Sequence, residues 1–212
     1  MVKKIRRFDP YETEEMAEIL RNDGVISVVT DTVHGVCARM DSKQAQENLR
    51  EIKHRPKDKA FPVMCCDLKQ IEEIAYVSEN GRKVIEAFMP GPVTVILKKR
   101  EEIPSFVNGG LPTLAIRMAT DDALEKLIRA VGCPLLMTSA NRSGEKTCAT
   151  PDEIELACPG LNGIMNGIPK FHEASTIIDC SEEQVRILRN GPVSEEQLRH
   201  VLAQTPYWKE NE

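Results

Sequence analysis

The stretch VISVVTDTVHG, residues 25–35, changes character halfway along. Its first half, Val25–Val29, is an unbroken run of small and β-branched side chains, which predicts a strand buried on both faces. Its second half, Thr30–Gly35, carries hydroxyls, a carboxylate and an imidazole. Ligand sites of α/β proteins lie where strands end, but a plain polar turn has the same composition. The stretch therefore predicts a buried strand and leaves two interpretations open for the turn that follows it.

The remainder of the chain alternates short apolar runs with amphipathic helical patterns. Further strands are predicted at 62–66, 94–97, 114–117, 134–138, 175–179 and 185–188. Helices are predicted at 41–53, 68–76, 79–89 and 121–131, with two more that open on capping boxes at 150–153 and 194–197, the last one ending near Leu202. The last two strands follow each other directly, whereas parallel neighbours need a long crossover. We therefore expect a single α/β domain with a mixed sheet of six to eight strands flanked by helices.

Length and composition restrict the class of protein. With 212 residues, 41% of them hydrophobic and 29% charged, the chain fits one globular domain, with an expected core at about residues 12–203 and a short tail at 204–212. Its seven cysteines have irregular spacings that fit no zinc site and favour reduced thiols in the cytoplasm. No run approaches the roughly 20 apolar residues of a membrane helix. Because the net charge is −5, phosphate binding would require a local basic patch.

The segment KHRPKDK, residues 53–59, is a candidate for such a patch. It places four lysine and arginine side chains within seven residues, and Pro56 prevents one continuous helix, so the cations can converge on a polyanion. A solvated run of surface charge would have the same sequence. The chain contains neither the P-loop pattern nor G-x-G-x-x-G, so a bound nucleotide would be held by some other arrangement.

Two further polar segments follow predicted strands. TSANRSG, residues 138–144, can present backbone N–H groups and side-chain donors to an anion, although a turn stabilised by Asn and Ser looks alike. In the C-terminal part, Arg189 ends a predicted strand beside Gly191, where the backbone can turn tightly. Arg117 ends another strand in the same way. Lone arginines at strand ends are commonly surface charges, so these two matter only if the fold brings them to the other segments.

Taken together, these segments resemble the YrdC/YciO family, which includes threonylcarbamoyl-adenylate synthases. The matching stretches, in chain order, are TDTVHG (30–35), KHRPKDKAFPVM (53–64), PGPVTVIL (90–97), LAIRM (114–118), TSANRSG (138–144), STIID (175–179) and ILRNG (187–191). Each stretch alone is weak, but seven in a fixed order, spread over most of the chain, form a specific pattern.

The resemblance implies a YrdC-like fold, a twisted α/β domain with a large, positively charged concave cavity. It also implies a nucleotidyltransferase reaction, in which ATP, L-threonine and bicarbonate give threonylcarbamoyl-AMP and pyrophosphate, with Mg²⁺ accompanying the triphosphate and no metal ligand assigned to the protein. A tRNA threonylcarbamoyl transferase complex would then use the product to modify an adenosine of tRNA. Such chemistry builds negative charge on phosphates and carbamate, which agrees with the cationic and hydroxyl residues found above.

The resemblance also implies roles for individual residues. Seven match positions for ATP, with the first two also assigned to catalysis through phosphate binding: Lys53, Arg55, Thr138, Ser139, Asn141, Ser143 and Arg189. Four match positions for threonine, with the arginine a candidate for its carboxylate: Thr32, His34, Arg117 and Ser175.

The chain departs from the family pattern at three places. His34 stands where the family usually has tyrosine, Met118–Ala119 replace valine and proline, and Asn190 replaces a proline. These changes keep two alternatives open. One is a YciO-type paralogue with the same ATP cleft and a different substrate; the other is a module that binds double-stranded RNA in the basic cleft. Threonine-dependent pyrophosphate release would separate the three hypotheses.

Overall fold

A computed structural model describes residues 4–169 and 174–203 of the chain, so the tail predicted at 204–212 lies outside the described residues. The strands are β1 (Arg7–Phe8), β2 (Ile26–Val29), β3 (His34–Arg39), β4 (Val63–Cys65), β5 (Ala75–Tyr76), β6 (Val93–Lys99), β7 (Thr113–Met118), β8 (Leu135–Ser139), β9 (Gly163–Met165), β10 (Thr176–Asp179) and β11 (Arg186–Arg189). The helices are α1 (Thr13–Arg21), α2 (Lys43–Lys53), α3 (Leu68–Ile74), α4 (Glu79–Phe88), α5 (Asp122–Val131), α6 (Pro151–Ala157) and α7 (Glu195–Leu202).

All the strands of the described residues belong to one sheet. Its order is β1-β9-β2-β3-β8-β4-β7-β6-β10-β11, and β5 pairs with β6 off this path. Parallel pairs such as β4 with β7 and β6 with β10 alternate with antiparallel pairs such as β3 with β8. The structure thus confirms the prediction of a single α/β domain built on a mixed sheet.

Helices cover the sheet on both faces because its central strands alternate their side chains between two cores. Along β3, Val36 and Ala38 pack in one core and Cys37 packs in the other. Helices α1 and α5 contribute to the core that contains Cys37, whereas α2, α3, α4 and α7 contribute to the opposite one. Strands covered on both faces are therefore apolar nearly throughout, as the run at Val25–Val29 predicts.

Side-chain caps start six of the helices, and one of the two predicted capping boxes is complete. Ser194 accepts from the backbone N–H of Gln197, and the Gln197 side chain accepts from the Ser194 backbone. At Thr150 only half of the box forms: Thr150 caps Glu153, but the Glu153 carboxylate accepts from Ala149 instead of from Thr150. The prediction of a complete capping box at residues 150–153 is therefore wrong.

The sheet has eleven strands rather than the six to eight predicted, because β1, β3, β5 and β9 are absent from the prediction. Three of them are only two or three residues long, too short for periodicity to reveal. Strand β3 is longer, but it begins inside the polar segment Thr30–Gly35, which masks its apolar run. Because β1 pairs with β9, the sheet begins at Arg7.

Buried thiols make the stability of this fold sensitive to alkaline pH. Burial raises the pKa of Cys37 and Cys65 and raises that of Cys180 to about 12. A thiol whose pKa is higher in the folded protein than its ordinary value of 9.0 contributes stability that is complete below pH 9 and is lost as the pH rises toward the folded pKa. Each fully buried thiol should cost about 1.4 kcal/mol at pH 10.

We therefore expect Cys37→Ala to reduce the loss of stability between pH 7.5 and pH 10. Urea unfolding under reducing conditions at both pH values measures the free energy of unfolding, and the variant should lose about 1.4 kcal/mol less than the wild type over this interval. Equal losses in the two proteins would show that Cys37 titrates normally in the fold.

Candidate active site

A cavity of about 1000 Å³ opens on one side of the sheet, where the segments singled out in the sequence meet. Eight of the eleven predicted site residues line this central cavity: Thr32, His34, Arg55, Arg117, Thr138, Ser139, Ser175 and Arg189. The other three do not line it: Asn141 and Ser143 lie in the turn after β8, and Lys53, at the end of α2, is hydrogen-bonded to that turn. The fold therefore brings distant parts of the chain to one hollow.

The turn between β2 and β3 is held by its own hydroxyls. The Thr30 hydroxyl donates to the Val33 carbonyl at 2.6 Å and accepts from the Val33 N–H at 3.2 Å. The Thr32 hydroxyl lies 3.1 Å from that of Thr30. Strand β3 then starts at His34, whose buried side chain lines the cavity. The segment Thr30–Gly35 is thus both a polar turn and part of the cavity wall.

Arg117 on β7 reaches this turn from the neighbouring part of the sheet. Its guanidinium donates to the Asp31 carboxylate at 2.6 Å and to the Thr32 hydroxyl at 2.9 Å; the Asp31 side chain is 4% exposed and that of Arg117 is 12% exposed. Burial lowers the pKa of Arg117, and the Asp31 carboxylate opposes that shift. The Arg117 Nε and Asp31 Oδ2 atoms have no hydrogen-bond partner among the described residues. Because Arg117 also lines the cavity, its cationic side chain is suited to an anionic group of a ligand.

Lys53, at the end of α2, is buried with only 1% of its surface exposed. Its ammonium donates to the Ser139 carbonyl at 2.5 Å, to the Asn141 side-chain oxygen at 2.8 Å and to the Asn141 carbonyl. Burial lowers the pKa of Lys53 to about 8, and the three acceptors favour the charged form. All three N–H bonds of Lys53 are thus used within the protein, which the sequence did not reveal.

The turn after β8 is built around Asn141. The Ser139 hydroxyl donates to the Asn141 side-chain oxygen at 2.6 Å, while the Asn141 amide donates to the Arg142 and Glu145 carbonyls at 2.9 and 2.7 Å. The Ser143 N–H donates to the Lys53 carbonyl at 2.9 Å. Lys53 and Asn141 therefore position Ser139 on the cavity wall without lining the cavity themselves.

The wall on the side of β10 and β11 consists of Ser175, Arg189 and Thr94. The Arg189 guanidinium donates to the Ser175 carbonyl at 3.0 and 2.8 Å, and the Ser175 and Thr94 hydroxyls are 2.7 Å apart. A Cβ at Gly191 would lie 2.5 Å from the Thr176 nitrogen, so glycine is required where the chain leaves β11. Thr94 lines the cavity but is not among the predicted residues, although it belongs to the quoted stretch PGPVTVIL.

Arg55 lines the cavity beside Phe61. Its guanidinium donates to the Ala60 carbonyl at 2.6 Å and to the Lys59 carbonyl at 3.2 Å, with its carbon 4.9 Å from the centre of the Phe61 ring. These contacts fix the planar group in place and leave its remaining N–H bonds for a ligand. Burial lowers the pKa of Arg55.

The described residues that line the cavity carry a net positive charge. Four cationic side chains line it, Arg55, Arg117, Lys146 and Arg189, whereas no aspartate or glutamate of the described residues does. The nearest carboxylate in the hydrogen-bond network, Asp31, is already paired with Arg117. Such a lining favours an anionic ligand.

The described part of the chain was found to contain neither a candidate metal centre nor a helix that could span a membrane. No group of three or more His, Cys, Asp or Glu side chains there has the arrangement of a metal centre. None of the helices at 4–169 and 174–203 combines the length and apolar composition that crossing a bilayer demands.

Comparison with known proteins relates this cavity to one family. Residues 18–191 match the Sua5/YciO/YrdC family model, described as "Telomere recombination". A putative threonylcarbamoyl-AMP synthase of Methanocaldococcus jannaschii is 30% identical over 92% of this chain and 95% of its own. The Threonylcarbamoyl-AMP synthase of Serratia proteamaculans is 34% identical over 80% of this chain and 92% of its own. That of Bacillus subtilis is 31% identical over 92% of this chain, which spans only 57% of it.

Solved structures agree with this relationship. Sua5 from P. abyssi in complex with L-threonine superposes with a TM-score of 0.87 and 26% identity, over 94% of this chain and 61% of that one. YciO from E. coli shares the fold, with a TM-score of 0.80 over 92% of this chain and 97% of that one. Both the family match and the relative from M. jannaschii extend over most of the sequence. The chain belongs to the Sua5/YciO/YrdC family.

Proposed function

We propose that the protein is a threonylcarbamoyl-AMP synthase, which converts ATP, L-threonine and bicarbonate into threonylcarbamoyl-AMP and pyrophosphate. One observation carries the proposal: eight residues that match the family's ATP and threonine positions line one cavity whose described walls hold four cations and no carboxylate. Relatives that carry this name match nearly the full chain, in the case of M. jannaschii over nearly their own full length as well.

The adenine nucleotide is assigned to the wall formed by Arg55 and the turn after β8. Ser139 and Thr138 line this part of the cavity, with Lys53 and Asn141 fixing the turn from behind. Arg55 and Arg189 contribute positive charge that attracts the phosphates. In this assignment Lys53 is a positioning residue, because its three N–H bonds already have protein acceptors. Ser143, whose hydroxyl has no partner among the described residues, lies in the same turn.

Threonine is assigned to the pocket formed by Arg117, Thr32, His34 and Ser175. The Arg117 guanidinium lines this pocket and suits the threonine carboxylate, and the hydroxyls offer partners for the other polar groups of threonine. His34 takes the place of the usual tyrosine on this wall, so the imidazole contributes to the shape of the threonine pocket.

The chemistry requires positioning and charge stabilisation rather than a covalent intermediate. The threonine nitrogen bonds to the carbon of bicarbonate with loss of water, and an oxygen of the resulting carbamate attacks the α-phosphorus of ATP. The bond from this phosphorus to the bridging oxygen breaks, and pyrophosphate leaves. Because negative charge shifts onto the leaving phosphates, the fixed cations of the cavity lower the barrier.

Mg²⁺ would accompany the triphosphate. Since no carboxylate of the described residues lines the cavity, the ion would be held by phosphate oxygens and water, as this cation usually is in nucleotide sites. We further propose that the protein acts in the cytoplasm and that a tRNA threonylcarbamoyl transferase complex receives the product. Binding of double-stranded RNA in the cleft stays a prediction.

Pyrophosphate release in the presence of ATP, Mg²⁺, bicarbonate and threonine tests this function. We expect release that requires both threonine and bicarbonate, and mass spectrometry should detect threonylcarbamoyl-AMP. Serine and valine serve as matched amino acids, because each lacks one feature of the threonine side chain. Release with a different amine or acid, but none with threonine, would instead support the YciO-type alternative.

A further inference from the structure

The segment Lys146–Ala149 forms a thin wall between two hollows. Its residues line the central cavity on one side and a shallow outer depression of about 600 Å³ on the other. Lys146 itself is exposed, so its side chain lies at the open edge of the cavity instead of in its depth. This position matters because one of the products of the proposed reaction must leave through the open side.

Lys146 differs from the other cations of the cavity in how its N–H groups are used. Arg55, Arg117 and Arg189 each donate at least two hydrogen bonds to protein oxygens. The Lys146 ammonium has no hydrogen bond or ion pair with any residue in 4–169 or 174–203. It therefore offers all three donors, whereas each arginine is partly committed.

The backbone on both sides of Lys146 is tied to the turn that carries Ser139. The Asn141 amide donates to the Glu145 carbonyl at 2.7 Å, and the Cys148 N–H donates to the Ala140 carbonyl at 2.8 Å. The segment is thus fixed at the residue before Lys146 and two residues after it. A flexible side chain on a fixed backbone can reach a ligand that already contacts Ser139.

We infer that Lys146 binds the β- and γ-phosphates of ATP at the open edge of the cavity. The inference rests on the proposed function, in which these two phosphates leave together as pyrophosphate. They carry most of the charge of the nucleotide, and a place beside the opening gives pyrophosphate a direct route to solvent. A hydrated, mobile ammonium can neutralise them there and follow the leaving group, which a fixed guanidinium cannot do.

The test compares Lys146→Ala, Lys146→Arg and Lys69→Ala, the last being an exposed lysine on α3 outside the cavity. Equilibrium titrations give the Kd for ATP and for AMP, which lacks the β- and γ-phosphates. Lys146→Ala should weaken ATP binding about fivefold and leave AMP binding unchanged. The arginine variant should restore most of the ATP affinity, and the control should match the wild type.

Pyrophosphate release by the same proteins separates this inference from the function on which it rests. If the wild type shows threonine-dependent release but Lys146→Ala binds ATP as the wild type does, the role of Lys146 is refuted and the function stands. If ATP binding weakens as expected while no amino acid supports release, the phosphate contact stands and the function is refuted. Equal losses for ATP and AMP would show that Lys146 acts on the fold of the wall, and a wild type that binds no ATP would overturn both proposals.

Discussion

Replacing Lys53 by alanine should lower pyrophosphate release at least about a hundredfold and lower the free energy of unfolding by about 3 kcal/mol. The reason lies in the three oxygens that surround its ammonium, two from Asn141 and one from Ser139. Removal of the side chain leaves these acceptors buried without donors and opens space behind the turn. Ser139 would then lose its fixed place on the cavity wall.

Two substitutions separate the loss of hydrogen bonds from the loss of volume. Lys53→Met keeps most of the apolar side chain but supplies no donor, so it should restore part of the stability and none of the activity. Urea unfolding monitored by circular dichroism gives the stability, and the release assay gives kcat and KM for ATP. An alanine variant with wild-type kcat and stability would show that the turn does not depend on Lys53.

The pKa of Lys53 adds an independent readout. Because burial lowers this pKa to about 8, the side chain loses one of its three donors as the pH rises through that value. ATP affinity should therefore decline between pH 7.5 and pH 9, a range in which the nucleotide itself remains fully ionised. The Lys53→Met variant should show no such decline.

Only part of the candidate site could be predicted from the sequence. The order of the motifs sufficed to identify the fold and eight residues of the cavity wall, because residues at strand ends are placed by the sheet itself. The direction of an individual side chain was not predictable in this way. Lys53 stands in a run of cations that includes the exposed Lys57 and Lys59, and only its contacts with the turn after β8 show that its ammonium points inward.

The elements that the sequence did not predict share a physical cause. The first residues of β3 belong to the polar segment Thr30–Gly35, so no apolar pattern marks its start. Strand β9 is stabilised by pairing with β1 and β2, which are distant in the chain. Thr94 and Lys146 have no local signal, since one lies in an apolar strand and the other in a polar loop. Their importance depends on which surfaces face the cavity, and this is decided by long-range contacts.

Arg117→Ala should raise the KM for threonine about a hundredfold and destabilise the fold by about 3 kcal/mol. The two effects have different origins. Threonine would lose the donor proposed for its carboxylate, whereas the fold would be left with the Asp31 carboxylate buried and unpaired. The KM for ATP should change much less, because the nucleotide is assigned to another wall.

A double variant separates these origins. Asp31→Asn combined with Arg117→Ala removes the unpaired charge, so we expect it to recover at least half of the lost stability while the KM for threonine stays high. Thermal unfolding and steady-state kinetics with varied threonine measure the two quantities on the same preparations. If the double variant recovered threonine affinity together with stability, Arg117 would be a structural partner of Asp31 and the carboxylate of threonine would be bound elsewhere. If instead stability returned alone, the loss of threonine affinity would arise at the cavity wall, from the missing guanidinium and from the Thr32 hydroxyl that it no longer contacts.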